Sequence, residues 1–262
     1  MARQALLNRS RAARLALLAS LAWPGMAAAA AVAAPVPGRS ELIAFADQEV
    51  PALLQKHHVV GMVVAFVEDG ELVFARGYGL RDRERGLPFD AERTLFRAGS
   101  ISKLFVWTAV MQCEEQRLVD LDTDVNRYLD GASIPATFPE PITLRLLMDH
   151  RPGFEDQLVG LFEKDAGRVR TLEQAVLHVP RRIAPPGRMV AYSNYGAALA
   201  AYVVERVTGM SFERYARERI FLPLGMSRSS FAQPLPAELA ADLSVGYSGG
   251  ARPAPRGFEY IS

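Results

Sequence analysis

The chain has 262 residues, 50% of them hydrophobic, with a formal net charge of +1 and one cysteine. That apolar fraction suits one or two domains with a buried core and excludes disorder over most of the length. Its 30 basic and 29 acidic residues are interspersed rather than gathered in a stripe, which leaves no case for nucleic acid as a partner. A lone Cys113 rules out an intrachain disulfide and reads as a buried apolar residue.

Residues 1–33 read as a secretory signal peptide. Arg3, Arg9, Arg11 and Arg14 precede an apolar run at 15–23, and Ala29-Ala30-Ala31 and Ala31-Val32-Ala33 offer small-x-small cleavage sites. A retained membrane anchor is the alternative, against which Pro24 and Gly25 interrupt the run before it reaches spanning length. Removing the leader takes four arginines and no acidic residue, so 26 basic residues then face 29 acidic ones and the net charge becomes −3. The expected location is periplasmic or extracellular.

Residues 41–56 carry the apolar spacing of an amphipathic helix, which Pro51 should kink or interrupt. Residues 59–67 and 72–78 alternate around Glu68-Asp69-Gly70-Glu71, the pattern of a β-hairpin. The charged stretch 80–91, punctuated by Gly86 and Pro88, should loop out. From Ser100 a glycine- and proline-free segment reaches Leu118 and suits a central buried helix. Helices are expected at 123–129, 143–149, 171–178, 195–208 and 211–221, with a stop at Thr208-Gly209 and a cap at Ser211. After Met226 the spacing of proline and glycine suggests irregular structure.

Two short motifs carry chemistry. In Ser100-Ile101-Ser102-Lys103 a serine precedes one of only three lysines by one helical turn, so Lys103 can reach the hydroxyl that a base must activate. Downstream, Tyr192-Ser193-Asn194 places a phenol and an amide two positions apart, ahead of a strongly periodic apolar stretch.

On these motifs the chain resembles the serine beta-lactamase and penicillin-binding protein superfamily, most closely class C beta-lactamases and their esterase and D-aminopeptidase relatives. The likeness extends through Phe96-Arg97-Ala98-Gly99, Leu144-Arg145-Leu146-Leu147-Met148-Asp149-His150, Pro185-Pro186-Gly187 and Phe221-Leu222-Pro223-Leu224-Gly225-Met226. It implies an α/β fold, more narrowly α+β, with an antiparallel sheet flanked by helices and a mainly helical lobe over 100–226. Residues 34–262 would then form part of one such domain, with residues 59–79 as a sheet hairpin. It also implies acylation of Ser100 by an amide, lactam or ester carbonyl, followed by hydrolysis, with no metal or organic cofactor. Lys103 and Tyr192 would share the proton work, either being the base, and Asn194 would bind the substrate. The partner implied is a small-molecule or peptide-like carbonyl compound, with association with the cell envelope and no protein partner.

One family motif has no counterpart. No Lys-Thr-Gly or His-x-Gly followed by a strand occurs before Ser262, so the second oxyanion donor and the last sheet strands are expected to be absent from this chain. The expectation is a C-terminally incomplete form with open sheet edges. The competing reading is a catalytically incompetent fragment, or a binding or sensor module of the same fold. His57 and His58 are expected to face solvent, and His150 to shape the pocket wall. Four scattered histidines lack the spacing of a metal site, so zinc is not expected.

Overall fold

The structure is a computed structural model that describes residues 38–157, 161–250, 252–256 and 260–261. The leader expected at 1–33 lies outside the described residues. The core and the site fall within the compact unit Leu42–Ser262, and among the described residues no helix is long and apolar enough to cross a membrane.

Helix α1 (Arg39–His57) is followed by the antiparallel pair β1 (Gly61–Glu68) and β2 (Glu71–Asp82), with Asp69 and Gly70 at positive φ in the turn. Contrary to the expected break, α1 runs through Pro51. Ala46, Val50 and Leu54 of α1 bury against Phe74 and Tyr78 of the hairpin, and this packing offsets the backbone hydrogen bond that proline removes. The expected loop at 80–91 also needs correction. β2 continues to Asp82, and β3 (Leu87–Pro88) turns back to pair with it, giving a sheet of order β1-β2-β3. Gly77 permits the close approach, because a Cβ there would lie 1.9 Å from the Phe89 carbonyl oxygen.

The helical part is built around α2 (Lys103–Glu115) and α5 (Asn194–Thr208). Val106, Ala109, Val110 and Cys113 of α2 meet Leu199, Ala200, Val203 and Val204 of α5 in one buried cluster. α3 (Leu144–Met148), α4 (Leu172–Val176) and α6 (Phe212–Ala216) add Leu144, Leu147, Val176, Phe212 and Tyr215 to it. Caps fix the ends of these helices: Thr143, Thr171 and Ser211 each accept an N–H from the first turn, and Gly209 closes α5 in the left-handed region.

The helix expected at 123–129 is instead a 3₁₀ turn, Val125–Tyr128. Side chains take the backbone groups a helix would use: Asp124 accepts the Asn126 N–H, and the Asn126 amide pairs with both the N–H and the carbonyl of Ile134. Beyond α6 the chain makes a π turn, Arg217–Phe221, then the short helix α7 (Ala237–Ala240). Three two-residue strands complete the described C-terminal part: β5 (Gly246–Tyr247) pairs with β6 (Pro255–Arg256), and β7 (Tyr260–Ile261) with β4 (Phe162–Glu163). Asp242 anchors this region through Arg93 and Arg228, at 3.2 and 2.7 Å.

Candidate active site

Ser100 lies in a 3₁₀ turn, Gly99–Ser102, that leads directly into α2, whose first residue is Lys103. Sequence spacing points to an α-helical start. The tighter turn serves the same end, since side chains three apart eclipse in a 3₁₀ helix. Lys103 Nζ accordingly donates to Ser100 Oγ at 3.2 Å. Gly99 enters the turn at φ +56°, a backbone conformation that a side chain would strain.

Tyr192 and Asn194 arrive from the N-terminus of α5. Ser193 is fully buried and caps that helix through the Gly196 N–H, so the two residues flanking it project on either side of a fixed point. The Tyr192 hydroxyl donates to Ser100 Oγ at 2.7 Å across 92 residues of chain. Asn194 Oδ1 accepts from Lys103 Nζ at 2.8 Å, and the same ammonium sits 4.8 Å above the Tyr192 ring. The four sequence-derived site residues are thus linked in space, Lys103 and Tyr192 directly to the Ser100 hydroxyl and Asn194 through Lys103.

A second strip of chain backs them. His150 stacks on Tyr192 with ring centroids 4.4 Å apart, and its Nδ1 accepts the Ser193 N–H at 3.3 Å. That bond assigns the ring proton to Nε2. Burial and then the Lys103 charge hold the His150 pKa below its ordinary value, with Asp156 opposing, so the ring is neutral around pH 7. For Tyr192, burial pushes the pKa up, but the Lys103 ammonium over its ring and the hydrogen bond with Ser100 outweigh it and hold the phenol below its ordinary value.

Asp156 is the residue that sequence reasoning missed. Its Oδ1 accepts both the Asn194 main-chain N–H and Nδ2, each at 3.2 Å. No spacing signal could have found it, because 38 residues separate the pair and the intervening chain has no single period. Backbone bonds between the strips bring it there: Glu155 N–H to Arg181 O, Ile183 N–H to Gly153 O, Gly187 N–H to Arg151 O and Ala191 N–H to His150 O, between 2.7 and 2.9 Å. Gly153 makes the approach possible at φ +80°, and a Cβ there would fall 2.1 Å from the Ala184 carbonyl oxygen. Gly153→Ala is expected to cost about 2–4 kcal/mol from clash and strained φ together, seen as a lower urea midpoint with an unchanged slope.

The site is open to solvent rather than enclosed. A cavity of about 420 Å³ lies elsewhere, between β1 and the segment around Ser244–Gly249, and none of Ser100, Lys103, Tyr192 or Asn194 lines it.

The Beta-lactamase family model matches residues 46–258 of the chain. The chain belongs to the beta-lactamase family. It is 31% identical to penicillin-binding protein 4 of Amycolatopsis lactamdurans over 70% of this chain and 48% of that protein. It is 28% identical to the teichoic acid D-alanine hydrolase of Staphylococcus aureus over 71% of this chain and 45% of that one. Among solved structures, the octameric penicillin-binding protein homologue from Pyrococcus abyssi superposes with a TM-score of 0.70 at 27% identity, covering 82% of this chain and 50% of that chain. The chain thus spans about half the length of the curated relatives it matches. Its fold, an antiparallel sheet flanked by helices, is that of the beta-lactamase-like serine hydrolases.

Proposed function

We propose that the chain carries the nucleophile of a serine hydrolase that forms an acyl-enzyme at Ser100 on an amide, lactam or ester carbonyl. The observation that carries this reading is the convergence of the Tyr192 hydroxyl and Lys103 Nζ on Ser100 Oγ at 2.7 and 3.2 Å. A serine hydroxyl attacks only when a neighbour takes its proton, and a group within 2.6–3.2 Å meets the geometric requirement for a base.

The arrangement supports a division of labour. An ammonium has three donors and no lone pair, and Lys103 Nζ directs donors to Ser100 and Asn194. Tyr192, as the phenolate that a depressed pKa favours and to which the Ser100 hydroxyl then donates, is the proton acceptor. As the Ser100 Oγ–carbon bond forms, the proton passes to the Tyr192 oxygen and the carbonyl pair moves onto its oxygen. Collapse of that tetrahedral species breaks the bond to the leaving group, which takes the proton from Tyr192. Water then repeats the sequence on the acyl ester. The Ser100 N–H, in the first turn of its helical segment, is suited to receive the developing oxyanion. The printed names of the relatives, a penicillin-binding protein and a teichoic acid D-alanine hydrolase, favour D-alanyl compounds or penicillins as substrates, which accords with the reading of residues 1–33 as a leader.

Burst kinetics test the proposal. With p-nitrophenyl acetate the chain should release one equivalent of p-nitrophenolate faster than it turns over, and Ser100→Ala should release none. Equal traces for the two proteins would favour the binding-module reading.

A further inference from the structure

We infer that Asp156 is a positioning residue for this acyl transfer, holding the Asn194 amide in the one orientation that offers its oxygen to Lys103. The inference rests on the serine-hydrolase reading above for its consequence, but its geometry stands apart from it. An asparagine amide is nearly symmetric in shape, so its two ends must be told apart by their neighbours. Here both neighbours are unambiguous: a carboxylate only accepts and an ammonium only donates. Asp156 Oδ1 takes Asn194 Nδ2 at 3.2 Å, Oδ2 lies 3.4 Å from the same nitrogen, and Lys103 Nζ reaches Asn194 Oδ1 at 2.8 Å. A flipped amide would set oxygen against carboxylate and NH₂ against ammonium.

The carboxylate also clamps the helix that carries the amide. Asp156 Oδ1 accepts the Asn194 main-chain N–H at 3.2 Å, which at the first residue of the 15-residue α5 has no partner within the helix. One side chain thus fixes both the backbone and the amide of Asn194, and through them the ammonium beside Ser100.

Among the described residues, Ser100 hydrogen-bonds the Tyr192 hydroxyl, Lys103 of α2 lies over its ring, His150 stacks on it just beyond α3, and the Asp156 charge acts on it from the strip that follows. The Asp156 charge raises the Tyr192 pKa against the lowering by Lys103. Removing that charge while keeping the shape should therefore lower it.

The test uses the full chain with Asp156→Asn and Asp156→Glu, each read two ways. Ultraviolet titration of the Tyr192 phenol, taken as the difference from Tyr192→Phe in the same background, should move to lower pH in D156N and stay near wild type in D156E. The rate of p-nitrophenyl acetate acylation should fall about 10- to 100-fold in D156N, in kcat more than in KM. A D156N acylation rate within threefold of wild type overturns the inference, whether or not the titration moves. Where p-nitrophenyl acetate acylates neither wild type nor D156N the hydrolase reading falls instead, and Asn194 side-chain NH₂ signals by NMR that do not shift between the two proteins would overturn the positioning role.

Discussion

Lys103→Met is expected to slow acylation of Ser100 by about 10²–10⁴-fold, because three interactions end at one nitrogen. The ammonium donates to Ser100 Oγ at 3.2 Å and to Asn194 Oδ1 at 2.8 Å, and lies 4.8 Å over the Tyr192 ring. Methionine keeps most of the unbranched stem without the charge. Its loss leaves burial as the dominant influence on Tyr192, so the phenol returns toward or above its ordinary pKa and becomes a poorer base near neutral pH. Arginine should not restore the rate, since a planar fork cannot reproduce the position of a compact ammonium. Pre-steady-state kinetics with a chromogenic ester check both variants. A K103M rate within threefold of wild type would remove Lys103 from the mechanism.

Tyr192→Phe is the second large effect and separates the two candidate bases. Phenylalanine keeps the ring that stacks 4.4 Å from His150, so the wall of the site is preserved while the oxygen 2.7 Å from Ser100 is lost. Acylation should fall by about 10²–10⁴-fold. The pH profile carries the sign. A base works deprotonated, so the wild-type rate should rise with pH through the depressed Tyr192 pKa and level off above it, and Y192F should lose that limb. Retention of the rise in Y192F would assign the base to Lys103.

Much of this site was legible in the sequence because its key distances are set by local geometry. The Ser100–Lys103 pair follows from a three-residue spacing that serves equally in an α or a 3₁₀ turn. Tyr192 and Asn194 straddle the buried cap Ser193, whose position before an apolar periodic run marks a helix start. What was not legible depends on contacts between distant segments. Asp156 reaches Asn194 only because the strip at 150–156 bonds to the strip at 181–191, and no local pattern encodes that pairing.

The same distinction runs through the fold. The hairpin, α5 and the caps at Ser211 and Gly209 are local features and emerge where patterning places them. Pro51 inside α1 and the 3₁₀ turn at Val125–Tyr128 depart from patterning for tertiary reasons: burial on the hairpin in one case, and the Asn126–Ile134 bonds in the other. β3 escapes notice because two residues carry no period at all.

The most direct test of an activated Ser100 is intact-mass analysis of the chain after exposure to a fluorophosphonate, with peptide mapping and a Ser100→Ala control. The account predicts one adduct per chain, on the peptide containing Ser100, and none in S100A. A folded wild-type chain that stays unmodified, or an adduct that persists in S100A, would contradict it.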